Sequence, residues 1–267
     1  MPQVEISALS LYPIKSCRPL RPDSWRVGAR GLEGDRRWLI VDSNNKFMTR
    51  REVPEMAKIA LKFEESGVVL HKEGQQDLKA PRIPQGVSAR VDIWGTITTG
   101  RFVSDEANAW VSRALGQPCR LVYMPDSARR RVNPKFNAGK DVVGFADGYP
   151  ILVASEASVE DLNSRLDSKL TVDRFRANII LRGCAPFEED TWRRIRIGEV
   201  LLRAARPCAR CLVTTQDPET GESLGQEPLR TLGKYRKYAG GGVIFGMYYV
   251  PESLGTIAVG QEICAEA

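Results

Sequence analysis

Apolar positions along this chain recur mainly with a period of two, in short runs separated by glycine, proline and polar turns. Val4 to Tyr12 alternates as a half-buried strand does and stops at Pro13. Gly31 to Asp42 is a Gly/Asp turn feeding a strand, with Ser43 to Lys46 as a hairpin turn and Phe47 to Thr49 as its return arm. Further strands are predicted at Ile59–Phe63, Gly67–Leu70, Ser88–Trp94 and Cys119–Met124. The second half offers a turn and buried strand over Phe145–Ala154, a β-branched strand over Arg174–Leu181, and strands at Trp192–Gly198, Glu199–Ala205 and Gly240–Val250. Gly255–Ile263 closes the chain as one more small strand pair. Two segments carry helical spacing instead. Ser104 to Gly116 has a serine cap, an acidic first turn and a terminal glycine, and Ser155 to Leu166 again starts on serine. Many short strands with few helices predict a mainly β chain with flanking helices (α+β), a barrel or sandwich and not a βαβ array. The basic loop from Pro125 to Asn137 has no apolar period, which places a boundary there and divides the chain into residues 1–124 and 125–267.

Composition narrows the class. With 267 residues, 42% hydrophobic and 27% charged, the chain can bury a large core. An excess of 39 Lys and Arg over 33 Asp and Glu suits an anionic ligand as well as nucleic acid, but the arginines are scattered and no nucleic-acid reader motif appears. The amino terminus has neither the basic start nor the apolar core of a secretory signal, and no apolar run approaches the ~20 residues of a membrane helix. Six cysteines spread at 17, 119, 184, 208, 211 and 264 fit a reducing compartment, so the expected location is the cytoplasm. The single histidine, His71, reads as a solvated strand-end residue, which leaves histidine triads and His-rich zinc sites poorly supplied.

The densest chemistry lies at Arg206-Pro207-Cys208-Ala209-Arg210-Cys211, followed by Thr214-Thr215 and the turn Asp217 to Gly221. The apolar run Val200–Leu202 precedes it, so the thiols belong where a strand opens into a loop, and the arginines beside them favour thiolate. Four readings compete. Zinc needs more soft ligands than the chain supplies at matching spacing. A thioredoxin-like pair needs a helix start within a βαβ pattern. The others are a single thiolate, acting on a soft metal held mainly by a cofactor or as a nucleophile or sulfur carrier, and a buried structural pair. Candidate anion-binding residues recur at other strand ends: Lys15 and Ser16, Arg36, Arg176 with Asn178, and Arg210. Convergent cations of this kind suit a phosphorylated cofactor, while dinucleotide and P-loop fingerprints are absent. Arg129, Arg130 and Arg131 flank an acidic partner or are solvated.

In this order and at these separations, Tyr12-Pro13-Ile14-Lys15-Ser16-Cys17, Gly34-Asp35-Arg36-Arg37-Trp38, Ser155 to Ser158, Phe175-Arg176-Ala177-Asn178 and Cys208 to Gly221 resemble the MOSC-domain molybdenum proteins. The likeness, nearest to bacterial YcbX-type proteins and the mitochondrial amidoxime-reducing component, runs from about residue 4 to 263. It implies an amino-terminal β-barrel domain over 1–124 and a MOSC β-barrel domain over 125–267 carrying Cys211. It implies a molybdenum cofactor, a molybdenum-pterin dithiolene with a terminal phosphate, and reduction of N-hydroxylated compounds such as amidoximes, hydroxylamines and N-hydroxylated bases. Carried to matching positions, Cys211 is the protein ligand of molybdenum and Lys15 and Ser16 hold the phosphate end. Arg36 and Arg176 grip the cofactor, with Asn178 and Arg210 beside them, and Asp147, Gly148, Tyr149 and Tyr248 line it. Cys208 packs near the loop base. Relatives with a carboxy-terminal ferredoxin-like domain or an amino-terminal anchor differ from this chain, which implies a separate electron donor (ferredoxin-, flavoprotein- or cytochrome b5-like). The remaining expectations are a small N-hydroxylated substrate, a monomer, and no nucleic-acid or membrane partner. The alternatives are a sulfur carrier holding a persulfide on Cys211 and a non-catalytic basic binding module.

Overall fold

The computed structural model describes residues 3–132, 141–239 and 241–266. The chain runs through β1 (Glu5–Leu9), β2 (Ser24–Gly28), β3 (Gly31–Leu32), β4 (Trp38–Val41), β5 (Ala60–Glu64), β6 (Gly67–Lys72), β7 (Gln75–Ala80), β8 (Ser88–Ile93), β9 (Thr96–Phe102), α1 (Asp105–Leu115) and β10 (Arg120–Tyr123). It continues with β11 (Ile151–Ser155), α2 (Glu156–Asn163), β12 (Ile179–Arg182), β13 (Arg194–Ile197), β14 (Val200–Ala209), α3 (Leu229–Tyr235), β15 (Ile244–Pro251), β16 (Gly255–Ala258) and β17 (Cys264–Glu266). The expected mainly β architecture with flanking helices is what forms.

A seven-stranded sheet, ordered β1-β12-β11-β15-β14-β13-β17, is antiparallel except between β11 and β12, which α2 connects. In β11, Ile151 and Val153 enter one core with Ile6, Ile179, Leu202 and Tyr249, while Leu152 and Ala154 enter another with Val159, Leu162, Phe175 and Phe245. Burial on both faces is why this stretch reads as a continuous apolar run. A four-stranded sheet, β4-β10-β9-β8, and a three-stranded sheet, β5-β6-β7, share a core with α1 built on Trp38, Ile40, Met56, Trp110 and Leu121. The two halves interlock. The first strand pairs with β12 (Glu5 opposite Arg182, Leu9 opposite Ile179), and β2 pairs with β16.

Both predicted helix starts are capped as their sequences suggest. Ser104 Oγ accepts from the Ala107 N–H at 3.1 Å, Ser155 Oγ accepts from the Ser158 N–H at 3.1 Å, and Gly116 ends α1 at φ 66°. Three strand expectations are corrected. Phe47–Thr49 forms no return strand, because the Phe47 N–H bonds to Asp92 O at 3.2 Å and leaves a single bridge to Val41. Val172–Phe175 is a 3-10 turn, and the strand begins only at Ile179, because Arg176 takes a left-handed backbone at φ 53°. Gly255–Ile263 is not a strand pair: β16 joins β2, and the Ile263 N–H bonds to Val4 O at 2.9 Å. The predicted boundary loop runs into residues 133–140, which lie outside those described. No helix among the described residues is long and apolar enough to cross a membrane.

Candidate functional site

Among the described residues, six non-glycine residues have φ between 45° and 69°, and four of them, Ser16, Arg36, Trp94 and Arg176, belong to one neighbourhood. Such a backbone costs of order 1–3 kcal/mol per residue and persists where the surroundings dictate it. Here the Arg36 N–H is held by Tyr12 O at 2.8 Å and the Arg176 N–H by Asp173 O at 3.1 Å. The two guanidiniums lie against the buried Tyr12 ring, at 4.2 Å for Arg36 and 4.1 Å for Arg176, favourable cation–π distances. Buried Asp35 completes the cluster. One oxygen accepts from the Tyr12 N–H at 2.8 Å and the other pairs with Arg36 at 2.5 Å. Burial pushes the Asp35 carboxyl up while Arg36 opposes it, and burial lowers Arg176 to about 10, which leaves it charged at neutral pH.

These cations border a cleft that also takes in Lys15, Ser16, Asp147, Tyr149, Asn178, Arg210, Cys211 and Tyr248. Every predicted site residue except Gly148 lines it. Gly148 instead borders the adjoining hollow with Trp94 and Arg129–Arg131. Lys15 is buried and pairs with Asp147 Oδ1 at 2.5 Å, and the Trp94 indole N–H donates to the same oxygen at 3.0 Å. Burial lowers the Lys15 ammonium, with Asp147 opposing. Desolvation would raise Asp147, but Lys15 and Trp94 outweigh it and hold the carboxyl below its usual range. The Asp147 loop is clasped by Arg130, whose guanidinium donates to the carbonyls of Gly144 (2.8 Å), Ala146 (2.6 Å) and Asp147 (3.2 Å). Arg130 is therefore a buried structural residue, neither solvated nor offered to a partner as its sequence context suggested. Tyr149 and Tyr248 stack at 4.9 Å on the cleft wall. Asn178 lines the cleft while its amide ties three strands together, accepting from the Leu152 N–H at 3.1 Å and donating to Ser10 O at 3.1 Å.

The two thiols separate. Strand β14 carries Cys208 into the core beside Phe175 and Phe245, whereas Cys211 lies past the strand end, exposed, as the residue immediately before a 3-10 turn over Leu212–Thr215. The Thr214 hydroxyl and N–H both bond to Cys211 O, at 2.9 and 3.1 Å, and fix that turn. Arg210 donates to Cys208 Sγ at 2.6 Å and to Phe175 O at 2.6 Å. Burial nevertheless pushes the Cys208 thiol up, with Arg210 opposing, so the expectation that the flanking arginines favour thiolate fails for Cys208: desolvation is the larger effect. No group of three or more His, Cys, Asp or Glu side chains is arranged to hold a metal among the described residues, so Cys211 stands as a lone soft donor on this cleft.

Tyr12, Asp35, Trp94, Phe175 and Arg130 complete the site, and the sequence assigns none of them to it. Tyr12, Asp35 and Phe175 sit inside the quoted motifs and Arg130 in the basic loop, whereas Trp94 carries no local signal. The donor set fits an anionic group bearing a soft metal. Cations line the cleft, a thiol stands at it, and Arg176 Nη2 and Arg210 Nε are buried N–H groups with no hydrogen-bond partner among the described residues.

The family models for the MOSC N-terminal beta barrel domain and the MOSC domain match residues 3–118 and 140–264. Among curated proteins, mitochondrial amidoxime-reducing component 1 of Mus musculus is 37% identical across 97% of this chain and 81% of its own length. The Homo sapiens component 1 is 34% identical across 97% and 82%. A molybdenum cofactor sulfurase of Oryza sativa subsp. japonica is 32% identical across 91% of this chain but only 32% of its own length. With both models and near-complete coverage by relatives above 30% identity, the chain belongs to the MOSC-domain family that includes the mitochondrial amidoxime-reducing components.

Proposed function

We propose that the chain is a molybdenum-cofactor-dependent reductase of N-hydroxylated compounds (amidoximes, hydroxylamines and N-hydroxylated bases) supplied with electrons by a separate redox protein. The observation that carries this reading is the convergence of Lys15, Ser16, Arg36, Arg176 and Arg210 with the exposed Cys211 on one cleft. The bound cofactor supplies the two-electron reducing centre for N–O cleavage. The protein's own part follows from its side chains. Cys211 offers a thiolate to the metal from a turn fixed by Thr214, a soft donor suited to such a centre. Arg36 and Arg176, held in place by Tyr12 and Asp35, grip the anionic end with Lys15 and Ser16. Tyr149 and Tyr248 present aromatic surface to the pterin. Asp147 stays ionised between Lys15 and Trp94, so its carboxylate orients an N–H group and does not deliver a proton near neutral pH. Cys208, a buried thiol engaged by Arg210, supports the loop and binds no metal.

The test is metal and pterin content after expression in a cofactor-competent host. Wild type and Cys208→Ala are expected to retain molybdenum, while Cys211→Ala loses it at least tenfold, in line with the loss of a direct ligand. Equal molybdenum in wild type and Cys211→Ala would overturn the ligand assignment, and none in wild type would overturn the cofactor reading. The sulfurase likeness and the exposed Cys211 favour one second reading, a persulfide carrier. A 32 Da adduct on Cys211 in protein without molybdenum would select it.

A further inference from the structure

Neighbouring residues of one segment divide between two clefts. Arg36 lines the cleft described above, whereas Gly34, Arg37 and Trp38 line another. Its walls are aromatic, with the Trp38 ring 5.8 Å from Phe63 and 5.1 Å from Tyr123. Its charges are unequal. Arg37 stacks on Tyr123 at 5.1 Å and pairs with Asp126 at 2.8 Å. Arg30 donates to Ala128 O at 2.6 Å and lies 3.7 Å from the same Asp126, and Glu33 is paired with Arg26 at 3.1 Å. Arg82 is exposed over the Phe63 ring at 5.1 Å and has no carboxylate within ion-pair distance among the described residues. Two buried donors at this cleft also lack acceptors: Trp38 Nε1, in a side chain 1% exposed, and Arg30 Nε. Each buried N–H left unpaired costs about 1–3 kcal/mol. Such groups are normally satisfied by protein, water or ligand.

We propose that this cleft binds a small aromatic carboxylate, its ring against Trp38 and Phe63 and its carboxylate on the fork of Arg82. A planar carboxylate matches the guanidinium fork, and an aromatic ring prefers offset or edge contacts with walls of this kind. None of these residues lies among those assigned to the cofactor, so occupancy is independent of metal loading.

Benzoate is the probe. It is titrated into the full chain with ¹⁵N label while the tryptophan indole N–H signals are followed, the Trp38 signal being identified from its loss in Trp38→Phe. The expected result is a saturable shift of the Trp38 signal with a dissociation constant of about 1 mM. Arg82→Ala, an exposed change that leaves the remaining spectrum intact, is expected to weaken binding by up to about fivefold, and Arg82→Lys by less. Cys211→Ala leaves it unchanged, and benzyl alcohol, which lacks the carboxylate, produces no shift. The proposal is overturned by a Trp38 signal that stays fixed to about 20 mM benzoate, by full affinity in Arg82→Ala, by an equal response to benzyl alcohol, or by binding that disappears in Cys211→Ala.

Discussion

Glu189 shows how much a single buried residue can decide outside the cleft. Its carboxylate is fully buried and accepts from the Ser155 N–H at 3.2 Å, the Ser155 hydroxyl at 3.0 Å and the Ser158 hydroxyl at 2.8 Å. It thereby ties the start of α2 to the turn before β13, and the same two serines give the helix its cap. Burial raises its pKa above the ordinary 4.5, with the two serines opposing and Asp190 adding repulsion. A carboxyl whose folded value lies above its unfolded value contributes stability that is fully present below the unfolded value and is lost as pH rises through the folded one. Stability of the wild type relative to Glu189→Gln is therefore expected to fall as pH increases upward from about 4.5, then level off. Urea midpoints of the two proteins across pH 4 to 8 check this, and a constant difference would refute it. The cleft uses the opposite arrangement at Asp147, whose carboxyl is held below its usual range by Lys15 and Trp94, and this keeps a negative charge beside an otherwise cationic wall.

At the scale of elements, the best-determined units are those whose ends carry their own chemistry. Helix α1 starts on a serine oxygen that accepts from Ala107 and ends on a left-handed glycine. Ser104→Ala is expected to cost about 1 kcal/mol, visible as a lower urea midpoint with an unchanged slope. Such local signals made both helix starts and strands β5, β6, β8, β10, β11, β13 and β15 legible in the sequence. Where the decisive partner is distant, the sequence was silent. Strand β7 is largely polar, and β9 follows a turn in which Trp94 and Gly95 both have positive φ, a position where asparagine or glycine is the usual signal. Helix α3 has a proline before its first residue and no side-chain cap. Arg176 looked like the start of a strand because β-branched residues follow it. Its left-handed turn is dictated by Asp173 and by Tyr12, which lies 164 positions earlier in the chain. The residue types of the candidate site were readable one motif at a time, but their convergence depends on strand pairings between residues far apart in sequence.

For the whole molecule, the consequence of those pairings is that the candidate cleft belongs to neither half alone. Lys15, Ser16 and Arg36 come from the amino-terminal part, while Asp147, Arg176, Arg210 and Cys211 come from the carboxy-terminal part. Strand β1 joins the large sheet, β2 joins β16, and buried Arg50 reaches the loop beyond Cys211. Its guanidinium donates to Gln216 Oε1 at 3.1 Å and to Asp217 O at 2.5 Å, and Gln216 returns a bond to Arg50 O at 2.8 Å. Gly221 closes the same loop at φ 79°, and a Cβ there would stand 2.2 Å from Pro54 O, so only glycine lets the two backbones approach. Interlocking of this kind predicts one cooperative transition, with far-ultraviolet dichroism and tryptophan fluorescence losing signal at the same urea concentration; separated midpoints would show that the halves unfold independently. Gly221→Ala is expected to destabilise the whole chain by about 2 kcal/mol or more. Because its clash lies on the loop that carries Cys211, it should also lower molybdenum retention under conditions where the protein remains folded. A Gly221→Ala protein with wild-type midpoint and wild-type metal content would show that the contact between Pro54 and Gly221 does not couple the amino-terminal half to the thiol.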